Sequence, residues 1–191
     1  MNRKKGEAGY LLSRKRQLIL KAVLEFGIVA ALLILGITQT KTRANLLTVV
    51  AILGCLPASK VLVQFISIFP YKSIEKEKHR EISEKSECLS VVYDTVVTSH
   101  EKILPIDCMV VCGNMICGYA HNPKTDPEYA AKHIKQMLSQ NGYAQMTVKL
   151  CSDYVKFITR VEGLNNIRKV EKKETSPEEE QICNLLLNIS M

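Results

Sequence analysis

Two long apolar runs set the hydrophobic pattern of the first third of the chain. Most side chains of residues 18–38 are apolar, and residues 44–70 contain Lys60 as their only charged residue. A helix needs about 20 predominantly apolar residues to cross a bilayer core. The pattern therefore predicts a hairpin of two transmembrane helices over residues 18–70. A signal peptide is not favoured for the first run, because no convincing small-residue cleavage site follows it.

Pro57 lies inside the second run, where it removes a backbone donor and crowds the preceding turn of a helix. We expect one tilted and kinked span. In the alternative, the chain crosses as far as Lys60, and residues 61–70 lie along the membrane interface.

Small residues on both runs predict how the two helices pack. Gly27 and Ala31 have the small-xxx-small spacing that lets membrane helices approach closely, and so do Gly54 and Ala58. A turn centred on Lys41 places the two small faces opposite each other. We therefore predict that these four residues form the contact between the helices.

Glu25 and Lys60 fall within about one helical turn of each other in the same hairpin. One interpretation is a functional ion pair inside the membrane. The other is that both side chains extend to the same cytoplasmic interface without a special role.

Basic residues are distributed unequally around the two runs. Seven Lys or Arg residues occur up to Lys21, four occur between Lys72 and Arg80, and the connecting loop has only Lys41 and Arg43. This asymmetry predicts a multi-pass cell-membrane protein with both termini in the cytoplasm. The basic excess lies beside apolar segments, so we expect anionic lipid headgroups as its partner and nucleic acid as an unlikely one.

The rest of the chain predicts a linker and a small domain. Residues 1–17 form a basic N-terminus, and the alternating charges of residues 71–87 are typical of a solvated helical linker. The pattern changes at residue 88, and we predict a cytoplasmic α/β domain over residues 88–191. We expect residues 84–191 to fold without the membrane segment, because roughly 110 residues suffice for one core.

Strand and helix signals alternate within this domain. Two apolar runs flank Gly113 and Asn114, which is typical of a β-hairpin. Capping residues at 125–128, Asp153 and Ser176 predict three helices. The expected fold is a mixed sheet with a β-hairpin and with helices on its faces.

The last helix carries a regular apolar stripe, which must pack against another surface. Either its own domain receives the stripe, or a partner protein or second subunit does. The stripe consists of Ile182, Leu185, Leu186 and Ile189.

Seven cysteines without a Cys-x-x-Cys pair indicate reduced thiols in the cytoplasm. Cys108, Cys112, Cys117 and His121 are ligand types that suit zinc. The predicted strand and turn do not bring the three thiols together, so buried cysteines acting as small apolar side chains are the better interpretation. The sequence also lacks a glycine-rich phosphate loop. We therefore expect no cofactor.

Residues 104–120 together with 148–153 resemble the core of nuclease-related domains of the restriction-endonuclease superfamily. The resemblance extends over residues 88–160 and implies an aspartate at the start of a central strand, matched by Asp107, followed by a hairpin, a helix and a fourth strand. It also implies a Glu-x-Lys set on the next strand, which the sequence Met115–Ala120 lacks. A lone carboxylate is too little to hold catalytic Mg²⁺.

Two functions follow as hypotheses. The first is a membrane-anchored binding or regulatory module without catalytic activity. The alternative is a membrane-tethered nuclease-like hydrolase with an altered metal site at Asp107, its missing acid supplied by Asp94 or Glu101.

Overall fold

The computed structural model describes residues 3–40, 46–99, 102–171 and 176–191. Their elements, in chain order, are α1 (Tyr10–Thr40), α2 (Leu46–Ile68), α3 (Lys76–Lys85), β1 (Ser90–Thr98), β2 (Ile103–Cys112), β3 (Met115–Tyr119), α4 (Pro127–Gln140), β4 (Thr147–Cys151), α5 (Tyr154–Glu171) and α6 (Pro177–Ile189). These elements form two compact units, one over Leu11–Lys72 and the other from the N-terminal residues up to Tyr10 with Ser73–Met191. The predicted connecting loop, with Lys41 and Arg43, lies outside the described residues.

The first unit contains two helices, α1 and α2, that are long and apolar enough to cross a membrane. Their large apolar side chains are mostly exposed, unlike those of a helix in the core of a soluble protein. The second helix continues through Pro57 and Lys60 to Ile68. The predicted single span therefore corresponds to one uninterrupted helix.

The four small residues predicted to lie between the two helices differ in their burial. Ala58 is fully buried, and a Cβ atom on Gly54 would lie 3.0 Å from a methyl carbon of Val29. Gly27 and Ala31, in contrast, are exposed, and the predicted contact through these two residues stays a prediction. Residues two apart on a helix are separated by about 200°. Because Val29 is buried, Gly27 lies on the opposite side of α1, and Gly54 leaves room for the larger side chain of Val29.

Glu25 and Lys60 are both described, but no ion pair within 4.0 Å joins them in the described part of the chain. The Glu25 Oε2 atom is buried and has no hydrogen-bond partner, whereas Lys60 is exposed. The predicted membrane ion pair therefore remains a prediction. Where the chain enters α1 and leaves α2, the Lys15 ammonium donates to the carbonyl oxygens of Phe69 (2.8 Å) and Tyr71 (2.5 Å) and so connects α1 to the residues after α2.

The second unit is built on a four-stranded mixed sheet of order β1-β2-β3-β4. The first three strands are antiparallel, and β4 runs parallel to β3. Gly113 adopts a positive φ of 52° in the turn between β2 and β3, as the Gly-Asn signal predicted. The helix α4 provides the crossover that a parallel pair needs.

Each face of the sheet carries an apolar cluster. The first cluster lies under α4 and α6 and includes Met109, Ile134 and Leu186. The second lies under α3 and α5 and includes Val110 and Phe157. The α6 stripe belongs to the first cluster: Ile182 and Leu186 are buried, and Leu185 and Ile189 pack against them. The domain itself therefore receives Ile182 and Leu186 fully and the other two residues in part, and a partner at this helix stays a prediction.

The predicted linker over residues 71–87 is part of the domain, so the boundary at residue 88 is placed too late. Its helix α3 buries Ile82 completely against the second cluster, and Ile74 joins the same cluster. One apolar residue among many charged ones gives little pattern in the sequence, yet it covers a face of the sheet.

Candidate functional site

Asp107 and His121 form a hydrogen-bonded pair at one end of the sheet. The carboxylate of Asp107 accepts from the backbone N–H of His121 at 2.7 Å, and each of its oxygens lies 2.9 Å from the ring Nδ1. The Asp107 side chain is 8% exposed, whereas that of His121 is 49% exposed. A buried carboxylate thus holds a half-exposed imidazole in one orientation.

Strand order explains why two residues so far apart in sequence meet. In the β2–β3 ladder Cys108 pairs with Tyr119, so Asp107 lies opposite the chain that leaves β3, where His121 follows. The parallel strands β3 and β4 both end at this edge, and the N–H of Ala120 donates to the carbonyl of Cys151 (3.1 Å). Ligands of sheets with parallel strands commonly bind at this type of edge.

The pair fixes the chemistry of the imidazole. An ionised carboxylate only accepts hydrogen bonds, so the neutral ring carries its proton on Nδ1. Nε2, for which no hydrogen-bond partner occurs among the described residues, then presents a lone pair. That atom can accept a hydrogen bond from a hydroxyl or amine, or take up a proton. This arrangement also orients histidines that bind metals through the opposite nitrogen.

Asp107 occupies an irregularity in β2. Leu104 and Ile106 contribute to the same apolar cluster as Met109 and Val111, so the alternation of side chains shifts by one position between them. The shift lies at Asp107 and keeps its carboxylate out of the first cluster.

A lysine and two tyrosines lie on the α3 side of the sheet. The Lys78 ammonium is 5.8 Å from the ring centroid of Tyr119 and 5.5 Å from that of Tyr154. Burial lowers the pKa of Lys78, but its hydrogen bond to Glu75 and the neighbouring Tyr119 outweigh burial and leave the pKa above its ordinary value. The hydroxyl of Tyr154 donates to Glu81 at 2.7 Å. These contacts hold α3 against the sheet.

The four residues weighed as zinc ligands do not form one site. Among the described residues, no group of three or more Cys, His, Asp or Glu side chains is arranged to hold a metal ion. Burial raises the pKa of the Cys117 thiol to about 12 and also raises that of Cys108. Cys112 instead accepts from Arg168 at 3.8 Å.

Sequence reasoning missed a buried ion pair, and it named Asp94 only as a possible second acid and not for the hydrogen bonds that it accepts. Arg168 and Glu179 form a bidentate ion pair with distances of 2.6 and 2.8 Å, and Glu179 also accepts from the N–H of Gly113. The carboxylate of Asp94 accepts from the N–H groups of Gly9 and Ile74. An aspartate inside a β-branched strand was the available signal for Asp94, whereas Arg168 was indistinguishable from the exposed charges around it.

No protein-family model, curated protein or solved structure matches this chain.

Proposed function

We propose that the chain is a membrane-anchored α/β module that acts by binding, with His121 and Asp107 as its recognition site. In this proposal α1 and α2 cross the cell membrane, both termini are cytoplasmic, and basic residues beside the helices contact anionic headgroups. The length and exposed apolar surfaces of the two helices support the anchor.

The observation that supports the binding role is that the carboxylate of Asp107 is hydrogen-bonded to His121. Both of its carboxylate oxygens contact His121, and the β3 residues opposite this end of β2 are Gly118 and Tyr119, neither of which is acidic or basic. A Mg²⁺ ion for phosphodiester cleavage is normally held by several oxygen ligands. Asp107 therefore orients an imidazole, and Nε2 of this half-exposed ring provides the contact to a ligand hydroxyl or amine.

The nuclease-like alternative is supported by the order of the elements. β2, its hairpin to β3, α4 and a β4 parallel to β3 follow one another as the resemblance implies. Of the two suggested sources of a second acid, Asp94 is occupied by Gly9 and Ile74, and Glu101 lies outside the described residues. The binding role is therefore the better supported.

The experiment that distinguishes the two functions is a thermal-shift scan of the detergent-solubilised chain with Mg²⁺, Mn²⁺ and Zn²⁺, followed by incubation with DNA and RNA. We expect no cleavage and no divalent-metal stabilisation that depends on Asp107. Asp107→Asn should cost about 1–2 kcal/mol of unfolding free energy, because a charged hydrogen bond is lost. His121→Gln is the matched control for the other side of the pair. Mn²⁺-dependent cleavage that disappears in Asp107→Asn would establish the hydrolase instead.

A further inference from the structure

Asp94 combines burial with a backbone conformation that side chains rarely adopt. It is 4% exposed and has a positive φ of 51° in the middle of β1. Aspartate tolerates this left-handed region better than most residues, but the conformation still needs support from its surroundings. The support comes from two hydrogen bonds: the N–H of Gly9 donates to Oδ2 at 2.6 Å, and the N–H of Ile74 donates to Oδ1 at 2.9 Å.

The two donors lie at special places in the chain. Gly9 immediately precedes α1, and Ile74 follows the end of α2 at Ile68 by a short connection. One carboxylate therefore fixes both of the segments through which the chain enters and leaves the apolar hairpin.

Asp94 and Asp107 also lie opposite each other on the neighbouring strands β1 and β2. The ladder between β1 and β2 contains the pairs Tyr93–Cys108 and Thr95–Ile106, and the intervening position, Asp94 with Asp107, is not paired. Side chains four residues apart on a regular strand point to the same face of the sheet. Tyr93 and Val97 nevertheless contribute to clusters on opposite faces, so the alternation of β1 shifts between them, as that of β2 does at Asp107. The left-handed backbone conformation of Asp94 thus interrupts the pairing of β1 and β2 at the position where Asp107 binds His121.

We infer that Asp94 is a conformational joint through which the hairpin controls the His121 site. This inference rests on the proposed function, because it takes α1 and α2 as the membrane anchor and His121 as the recognition residue. When the spacing between the segments at Gly9 and Ile74 changes, Asp94 loses a donor and returns to an extended conformation. The ladder then closes at Asp107 and withdraws its carboxylate from His121. The two states are the left-handed and the extended backbone at Asp94.

Three substitutions of Asp94 distinguish the effect of its backbone conformation from that of the hydrogen bonds that its carboxylate accepts. Asp94→Gly accepts a positive φ freely but removes both acceptors. Asp94→Asn retains tolerance of the left-handed region and one carbonyl acceptor. Asp94→Val favours the extended conformation that the inference assigns to the second state. Ser176→Ala, which removes the cap of α6 on another part of the domain, controls for general destabilisation.

The measurement uses the full chain in lipid nanodiscs with ¹⁵N-labelled histidine, and His121→Gln assigns the His121 signals. In the neutral form of the ring, the wild type should show the His121 proton on Nδ1. In Asp94→Gly and Asp94→Val we expect a mixture of tautomers, together with amide exchange at Gly9 and Ile74 about tenfold faster than in the wild type. Asp94→Asn should lie between them and the wild type. The inference is overturned if Asp94→Gly and Asp94→Val leave the His121 tautomer unchanged, or if Ser176→Ala changes it equally.

Bilayer thickness provides the second arm, since thick and thin bilayers change the tilt of spanning helices. In the wild type the His121 signals should differ between long-chain and short-chain phosphatidylcholine nanodiscs, and the difference should disappear in Asp94→Gly. A chain that does not insert into nanodiscs would contradict the proposed anchor. A chain that inserts but whose His121 signals ignore both thickness and Asp94 substitutions would contradict the joint alone.

Discussion

The carboxylate of Glu179 accepts three hydrogen bonds inside the domain, two from Arg168 and one from the turn at Gly113. The ion pair is 6% and 3% exposed, so water cannot replace a missing partner. The pair joins α5, α6 and the β2–β3 turn, three elements that are distant in sequence. Its neighbour at the surface, Lys169 with Glu87, has a similar distance of 2.9 Å but lies in water.

Breaking the buried pair should therefore cost far more than breaking the exposed one. We expect Glu179→Gln to lower the free energy of unfolding by about 3 kcal/mol, because Arg168 is left buried without its counter-charge. Glu87→Gln should leave the free energy of unfolding almost unchanged, because both partners of that pair lie in water. The double variant Arg168→Met with Glu179→Leu should recover most of the loss. Urea unfolding followed by circular dichroism measures all three, and equal costs for Glu179→Gln and Glu87→Gln would contradict the burial argument.

The same residue predicts a dependence on pH. Burial raises the pKa of Glu179, but the hydrogen bonds from Arg168 and Gly113 lower it by more than burial raises it. The pKa of Glu179 therefore lies below its ordinary value of 4.5. A carboxyl with a lowered folded pKa stabilises the protein above its unfolded pKa, and this contribution is lost as the pH falls through the folded value. The wild type should thus lose stability below about pH 4.5 more steeply than Glu179→Gln. Parallel slopes for the two proteins would show that Glu179 is not responsible.

At the scale of elements, α3 shows how one apolar residue determines the extent of a domain. Ile82 is fully buried although the other residues of α3 are largely charged, and Lys78 connects the helix to two tyrosines. A fragment that begins at residue 84 lacks this helix and exposes the second apolar cluster. We expect the free energy of unfolding, measured in urea, to be about 2–4 kcal/mol larger for a fragment over residues 73–191 than for one over 84–191. Ile82→Ala in the longer fragment should reproduce most of this difference. Equal stability of the two fragments would return α3 to the role of a linker.

The α1–α2 contact offers a matched pair of glycines. A leucine at position 54 would collide with Val29, whereas a Cβ atom on Gly27 would meet no atom of another described element within 4 Å. Gly54→Leu should destabilise the hairpin by about 1–3 kcal/mol. Gly27→Leu should have little effect. Hydrogen exchange of the α2 backbone in micelles measures the difference, and a larger effect of Gly27→Leu would support the contact through Gly27 that the sequence predicts.

These elements show what pattern reasoning can reach. The Gly113 turn and the caps at Asp153 and Ser176 were predictable because they rest on local conformation and local hydrogen bonds. The pairing of Asp107 with His121 was not, because it depends on the register of β2 and β3 across the intervening hairpin. The burial of Val29 on α1 was also not predictable, since α1 is apolar on most of its faces and periodicity then carries little information.

At the scale of the whole molecule, the distribution of basic residues predicts the orientation of the chain in the membrane. The basic residues are concentrated before α1 and after α2, and few lie in the loop between them. Lysine and arginine are retained on the cytoplasmic side when helices insert, so both ends of the chain should be cytoplasmic. A fusion after Met191 should be active with a reporter enzyme that works only in the cytoplasm and silent with one that works only outside, whereas fusions truncated at Lys41 should give the opposite result. Moving the charges tests the cause: replacing Arg14 and Arg16 with glutamine while adding lysines beside Lys41 should yield a mixed orientation. An outside-active fusion at Met191 in the unmodified chain would contradict the proposed topology.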